Sequence, residues 1–245
     1  MNVAAVILAA GQGTRMVSGL PKVLHTINDR AMISILLDTV SKISVQKSVV
    51  VTGFQANKVE QEVGKRAVCV FQEEQLGTGH AVLQAESALR GFSGYILILC
   101  GDAPLFRAKT LESLLWAVEE DSLDGAVFSM KLDHPFGYGR IVKNIQGLVE
   151  YIVEEKSASD KEKAITEVNS GVFCFRAEAL WSSLHEINCQ NTAGEYYLTD
   201  VVKILSRKGC PVMAKTMNDA REAMGVNSPE DLAQARLVYR ELYVG

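Results

Sequence analysis

Apolar and polar positions alternate between two kinds of pattern along this chain. Apolar runs recur within residues 3–10, 47–52, 67–71 and 95–99, near-continuous in the first and last of these. Such a run, closed by glycine or a polar turn, predicts a strand buried on both faces. Between the runs lie segments with helical spacing. Residues 32–40 read as a buried helix, 56–64 as a polar helix, and 79–89 as a helix with Ala81, Val82, Ala85, Ala88 and Leu89 as its apolar positions. Strands alternating with helices of this length predict an α/β fold with a parallel sheet covered on both faces. The loops after the strands then share one edge of the sheet, where ligands of open α/β sheets bind.

The later half changes character. Residues 125–131 and 167–175 predict strands, and 140–143 with 148–153 flank the turn Asn144-Ile-Gln-Gly147 as a hairpin-like pair. An antiparallel element therefore joins the parallel sheet, as a second lobe of one domain over residues 1–227. No Pro/Ser-rich linker and no internal repeat divides it. Residues 228–245 form a closing helix. Ser228 is its N-cap, Pro229 fits the first turn, and Glu230 and Asp231 sit at the positive end. Leu232, Ala235, Val238 (or Tyr239) and Leu242 give it one apolar stripe.

Composition narrows the function. Apolar residues make up 48% of the 245, enough for a substantial core, and the net charge of −4 argues against a nucleic-acid surface. Five cysteines in irregular spacing do not form a disulfide framework, and without CxxC or clustered His and Cys a zinc site is not expected. Cys69, Cys100 and Cys174 lie in apolar runs and read as buried thiols. The N-terminus lacks a signal-peptide pattern, and the apolar runs are too short to span a bilayer, so the cytoplasm is the expected compartment and no membrane partner is expected.

Against that acidic balance, the first turn stands out. Residues 3–22 read VAAVILAAGQGTRMVSGLPK, and no Asp or Glu occurs before Asp29. Gly11 and Gly13 let the backbone turn tightly and approach a ligand, successive N–H groups there can form an anion-binding nest, and Arg15 and Lys22 add positive charge. The spacing is not that of a Walker A loop, and Met16 stands where the dinucleotide fingerprint needs a small residue. Taken alone, Gly-x-Gly is equally a plain strand-to-helix turn. The longer string L-A-A-G-x-G-T-R-M followed by Pro21-Lys22 resembles the signature of sugar-nucleotide pyrophosphorylases.

Other strings fall on the same predicted edge. Gln72-Glu-Glu-Gln-Leu-Gly77-Thr78-Gly79-His80 opens a helix and can bring backbone N–H groups to a ligand, although a capped helix start explains it as well. His80 reads as structural. Cys100-Gly101-Asp102 follows the strand YILIL, so Asp102 is a candidate ligand for Mg²⁺ facing phosphates, the alternative being a turn Asp before Pro104. Gly137-Tyr138-Gly139-Arg140, Val153-Glu154-Glu155-Lys156 and Glu167-Val168-Asn169-Ser170-Gly171 offer carboxylate and amide groups to a polyol, with Glu155 and Lys156 read as a solvated pair. Gly194-Glu-Tyr-Tyr-Leu-Thr-Asp200 starts a helix, and Gly225-Val226-Asn227 precedes the last one; composition assigns neither a role.

In order, LAAGxGTRM, PKVLH, EQLGTGHA, GDxPL, GYGRI, VEEK, EVNSG, GEYYLTD and GVN resemble the uridylyltransferase half of the bifunctional bacterial N-acetylglucosamine-1-phosphate uridyltransferase/glucosamine-1-phosphate acetyltransferase family. The likeness runs from Val3 to the last helix. It implies a Rossmann-like nucleotidyltransferase fold, mostly parallel with an antiparallel sugar-binding lobe. It implies UTP and N-acetylglucosamine 1-phosphate as substrates, Mg²⁺ as cofactor, and UDP-N-acetylglucosamine for cell-wall precursors as product. By the same resemblance, Leu8, Ala9, Ala10, Gly11, Gly13, Gln72, Gly77, Thr78, Cys100 and Gly101 belong to the nucleotide side. Arg15 and Lys22 hold phosphates and are catalytic with Asp102; Asp102 and Asn227 bind Mg²⁺; Gly139, Glu154 and Asn169 hold the sugar. Two departures stand out. Cys100 replaces the tyrosine common before Gly-Asp, and the family's hexapeptide-repeat acetyltransferase half, which builds its trimer, has no counterpart here, leaving the oligomeric state open. Other sugar-1-phosphate nucleotidyltransferases, and an inactive regulatory relative, are the alternative readings.

Overall fold

The computed structural model describes residues 1–243; Val244 and Gly245, the end of the expected closing helix, lie outside the described residues. The first strand, Val3–Ala9 (β1), shows why its sequence has no polar gap. Ala5, Ile7 and Ala9 enter one hydrophobic core, and Ala4 and Val6 enter another. Side chains of a strand alternate between faces, so a strand covered on both must be apolar throughout.

The chain continues through a small antiparallel pair, Thr26–Ile27 (β2) and Arg30–Ala31 (β3), into Met32–Val40 (α1). Next come Lys47–Thr52 (β4), Ala56–Val63 (α2), Val68–Phe71 (β5), Thr78–Gln84 (α3) and Tyr95–Cys100 (β6). The helix expected over residues 79–89 is shorter than its apolar positions imply: Ala85 caps it, and Ser87–Leu89 forms a separate 3-10 turn. Ala108–Glu120 (α4) leads to Gly125–Lys131 (β7), then to Arg140–Lys143 (β8) and Val149–Val153 (β9). The short Asp160–Lys163 (α5) precedes Glu167–Arg176 (β10), followed by Ala177–Leu184 (α6), Asp200–Arg207 (α7), Val212–Thr216 (β11) and Pro229–Tyr243 (α8).

The main sheet has the order β11-β7-β10-β6-β1-β4-β5, with β8 and β9 attached to β10. Along that path all strands are parallel except β10, which runs antiparallel to both β6 and β7. The architecture is the mostly parallel, Rossmann-like α/β sheet expected, and the reversed strand with the β8–β9 hairpin is its antiparallel lobe. Helices α1, α2 and α4 cover one face and α3, α6 and α7 the other. A third core joins Leu232, Ala235 and Val238 of α8 to Met32 and Ile35 of α1, Ile27 of β2, and Met16, Leu105 and Val226 from the connecting segments. The closing helix starts as the sequence indicates, with Ser228 Oγ accepting the Asp231 N–H at 3.2 Å.

Six elements go beyond the sequence reading: β2, β3, α4, α5, α6 and β11. The edge strand β11 fully buries only Val212, so it has no apolar run to betray it. α6 follows β10 with no turn residue between them, which hides the boundary. The cysteine reading is corrected in part: Cys174 is buried, but Cys69 and Cys100 are partly exposed, because they lie on the edge strand β5 and at the open end of β6.

Candidate active site

β1 delivers the chain to the carboxyl edge of the sheet, where it turns through Gly11-Gln12-Gly13 into the 3-10 turn Thr14–Met16. Gly13 has φ +71°, and a Cβ there would lie 2.6 Å from Cβ of Lys22. Glycine is therefore required twice over, by conformation and by the approach of the lysine stem. A Cβ on Gly11 would meet no atom within 4 Å, so that backbone faces open space. Among the described residues the N–H groups of Gly11, Gln12 and Gly13 donate to no other backbone group. The turn can act as the anion nest its sequence implies.

Four residues from distant segments meet beside this loop. Lys22 Nζ donates to the Asp102 carboxylate and, at 3.0 Å, to Asn227 Oδ1. Arg15 donates to the same Asn227 oxygen at 2.9 Å. Asp102 stands just beyond the carboxyl end of β6, and its backbone carbonyl accepts the Val226 N–H at 2.8 Å, which ties the Asn227 loop to it. Asn227 lies between a 3-10 turn at Ala220–Ala223 and α8, in the loop before the last helix where the sequence places it. The Lys22 and Asp102 side chains retain 16% and 22% exposure, so the junction is open to ligand from one side. One carboxylate and one amide oxygen, both turned toward the same ammonium, are hard donors for a small divalent cation. The residues fit Mg²⁺.

A cleft of about 320 Å³ opens at this junction. Its walls include Leu8, Ala9, Ala10, Gly11 and Lys22 from the first turn, Gln72, Gly77 and Thr78 from the second, and Cys100 and Asp102 from the end of β6. Of the residues expected on the nucleotide side, Gly13 and Gly101 do not line it. Gly101 donates its N–H to the Leu8 carbonyl at 2.9 Å and holds the ends of β6 and β1 together. The sequence reading omits Val23, Gln75, Ala81 and Glu195, which also line the cleft. Glu195 belongs to GEYYLTD, the string to which composition assigned no role.

That string is a strap across the second loop. Gly79 N–H donates to the Tyr196 carbonyl and Tyr196 N–H to the Leu76 carbonyl, each at 2.8 Å, and Leu198 N–H donates to Thr78 Oγ1 at 3.0 Å. Gly77, at φ +116°, lies so close beneath it that a Cβ would come within 2.6 Å of the Tyr196 carbonyl. Gln72 is buried, and its amide bonds the Gly77 carbonyl at 3.4 Å and His80 Nδ1 at 2.9 Å. His80 also meets Gln84 at 3.1 Å, in keeping with a structural role.

Gly139, Glu154 and Asn169 are brought together where β8, β9 and β10 adjoin. Asn169 N–H donates to the Gly139 carbonyl at 2.9 Å, and a Cβ on Gly139 would lie 3.5 Å from both Glu154 carboxylate oxygens. Glu154 does not line the nucleotide cleft; it opens onto a neighbouring cleft of about 920 Å³ shared with Tyr197, Thr199 and Asp200. Thr199 donates to it at 3.0 Å, and burial raises its pKa above the usual carboxylate value despite that bond. The strap thus touches both clefts, Glu195 in one and Thr199 in the other. Glu155 corrects the reading of a solvated pair with Lys156: it bonds the buried Arg140 at 2.7 Å and the Gly137 N–H at 3.2 Å, which rigidifies the glycine turn before β8.

β10 bulges: its register with β7 shifts between Asn169 and Phe173. Bulges re-aim backbone and side chains. Here the bulge carries Gly171, at φ +84°, to the Cys100 thiol, whose Sγ lies 3.7 Å from the Gly171 carbonyl. Burial, with the charge of Asp102 added, pushes that thiol up to about 12. It is a neutral group lining the cleft and not a nucleophile.

The MobA-like NTP transferase domain family matches residues 5–187. The chain belongs to that family. This transferase is 49% identical over 96% of its length to the bifunctional protein GlmU of Halalkalibacterium halodurans. It is 44% identical over 97% to that of Oceanobacillus iheyensis, and 45% identical over 98% to that of Latilactobacillus sakei. In each case it covers 52% of the relative, so it spans about half the length of the curated relatives it matches. In three dimensions it resembles a UDP-glucose pyrophosphorylase crystallised with UDP-glucose, with a TM-score of 0.80 at 17% identity, over 98% of this chain and 99% of that one. That likeness bears on the fold. No described helix is long and apolar enough to cross a membrane.

Proposed function

We propose that this transferase moves UMP from UTP to N-acetylglucosamine 1-phosphate, yielding UDP-N-acetylglucosamine and pyrophosphate for cell-wall precursors in the cytoplasm. The observation that carries this reading is the meeting of Arg15, Lys22, Asp102 and Asn227 at one cleft edge. The similarity to GlmU proteins over nearly the whole chain supports the choice of substrates.

In this reading the nucleoside lies against Leu8–Gly11 and the Gln72–Thr78 loop, and its phosphates cross the glycine turn. A sugar-phosphate oxygen attacks the α-phosphorus in line; the new O–P bond forms as the bond to the β-phosphate bridge breaks and pyrophosphate departs. The attacking oxygen is already ionised at neutral pH, so no general base is needed. Catalysis is then positioning and charge neutralisation. Arg15 and Lys22 take up charge on the leaving pyrophosphate. Glu154, Asn169 and the Gly139 backbone orient the sugar. Asp102 and Asn227 would hold Mg²⁺, which when bound neutralises phosphate oxygens of the reactants. Lys22, bonded here to Asp102 and Asn227, would turn its ammonium to the phosphates with those two donors engaged by a cation.

The purified protein should release pyrophosphate only when UTP, N-acetylglucosamine 1-phosphate and Mg²⁺ are all supplied. Equal or faster release with CTP, or with glucose 1-phosphate, would sink the assignment.

A further inference from the structure

Asn227 offers its side-chain oxygen to Lys22 and Arg15, but what fixes it there lies one helical turn further on. A single oxygen of Asp231, Oδ2, accepts both the Asn227 N–H at 2.9 Å and the Ser228 N–H at 3.0 Å. In return Asp231 N–H donates to Ser228 Oγ at 3.2 Å. This is a reciprocal helix cap, with Asp in the place usually held by Glu or Gln. A cap needs only the bond to the Ser228 N–H. The second bond reaches one residue beyond the helix and pins the backbone of a candidate metal ligand.

The position of Asp231 is itself anchored. α8 buries Leu232, Ala235 and Val238 in the third core beside Met16, Leu105 and Val226. Those three residues lie one after Arg15, three after Asp102 and one before Asn227. One small core thus underlies three segments of the site. We infer that Asp231 is a positioning residue for the metal centre: it holds Asn227 in register with Asp102, so that α8 contributes to the chemistry and does more than close the fold. The inference rests on Asp102 and Asn227 as the Mg²⁺ pair.

Three variants test it: Asp231→Ala, Asp231→Asn, which retains an acceptor, and Ser228→Ala, which removes the other half of the cap but leaves the Asn227 amide bonded. In the metal-free protein, hydrogen exchange at the Asn227 amide should accelerate in Asp231→Ala and remain slow in Ser228→Ala. In the assay, Asp231→Ala should raise the half-saturating Mg²⁺ concentration by roughly tenfold, the effect typical of losing a group that orients a ligand. The KM for the sugar phosphate should not move. Asp231→Asn should recover much of the loss, and if Asp231→Ala does not fold, Asp231→Ser, too short to reach the Asn227 amide, takes its place with the same expected rise. Equal Mg²⁺ shifts in Ser228→Ala and Asp231→Ala would reduce Asp231 to a helix cap and overturn the inference. So would an unchanged Mg²⁺ requirement in Asp231→Ala when Asn227→Ala raises it. If Asn227→Ala also leaves the requirement unchanged, the metal pair itself is wrong and both readings fall.

Discussion

Glu154 shows what a single residue is asked to do at this site. It is a carboxylate with one hydrogen-bond donor, Thr199, in a partly desolvated position. Burial raises its pKa, so the folded protein binds that proton more tightly than the unfolded chain does. The sign follows: protonation of Glu154 favours the folded state at low pH, and that advantage is lost as pH rises through the elevated pKa. Once ionised, the residue is a charge held at some expense of stability, as groups reserved for ligands often are. Glu154→Gln keeps an acceptor for Thr199 and removes the charge. Relative to the parent, the variant should gain in Tm as pH rises through the elevated pKa of Glu154, because only the parent then takes on a charge. Its KM for the sugar phosphate should rise roughly tenfold, since a hydrogen bond to a charged group is worth about 1.5 kcal/mol or more. A Tm difference independent of pH, or a rise in the KM for UTP instead, would remove Glu154 from the sugar subsite.

At the scale of elements, the sequence is most legible where one physical demand acts alone. Strands β1 and β6 bury both faces, and their apolar runs declare it; β4 does the same through Val49–Val51. The glycine turn is equally plain, because two glycines, two cations and the lack of acids all point to phosphate. What stays hidden depends on pairing across the chain. The bulge in β10 exists only against β7, and no local pattern announces it. The strap GEYYLTD gains its meaning from carbonyls that lie against Gly77 and Gly79, more than a hundred residues earlier. The two loops therefore predict opposite outcomes for the same substitution. Gly77→Ala drives a Cβ to 2.6 Å from the Tyr196 carbonyl at φ +116°, so the fold itself should suffer, by about 1–3 kcal/mol. Gly11→Ala meets nothing within 4 Å, so stability should change by less than about 0.5 kcal/mol. Its KM for UTP should nonetheless rise, because the new methyl occupies the face that the nucleotide approaches. Thermal unfolding beside steady-state kinetics separates the two. A Gly11→Ala enzyme with unaltered UTP kinetics would take the nucleotide away from that turn.

For the molecule as a whole, the question is how segments two hundred residues apart stay in register at one cleft. A second tie complements the third core. Glu222 is 1% exposed and accepts four bonds: the Arg107 backbone N–H at 2.8 Å, Arg107 Nε at 2.9 Å, an Arg107 terminal nitrogen at 2.5 Å and Thr110 Oγ1 at 2.9 Å. Arg107 immediately precedes α4, five residues beyond Asp102; Glu222 lies five residues before Asn227. The pair therefore fastens the β6 loop to the Asn227 loop from behind, and neither residue is conspicuous in a sequence where charged side chains are common. Breaking a buried pair leaves a charge without its partner, which costs about 3–5 kcal/mol. Here the guanidinium keeps 42% exposure, so water replaces part of its effect, and the Arg107 backbone and Thr110 bonds survive the loss of the side chain. Arg107→Ala should therefore destabilise by roughly 2–3 kcal/mol, and at about 2–4 °C per kcal/mol for a chain of this size the Tm should fall by several degrees. Replacing both partners with methionine should recover most of that loss, because no buried charge is then left unpaired. The same double variant should lose turnover despite its recovered stability, since packing alone does not set the register of Asn227 with Asp102. Full activity in the recovered double variant would mean that the third core and the Val226–Asp102 bond suffice to build the site, and that Arg107 and Glu222 serve only the fold.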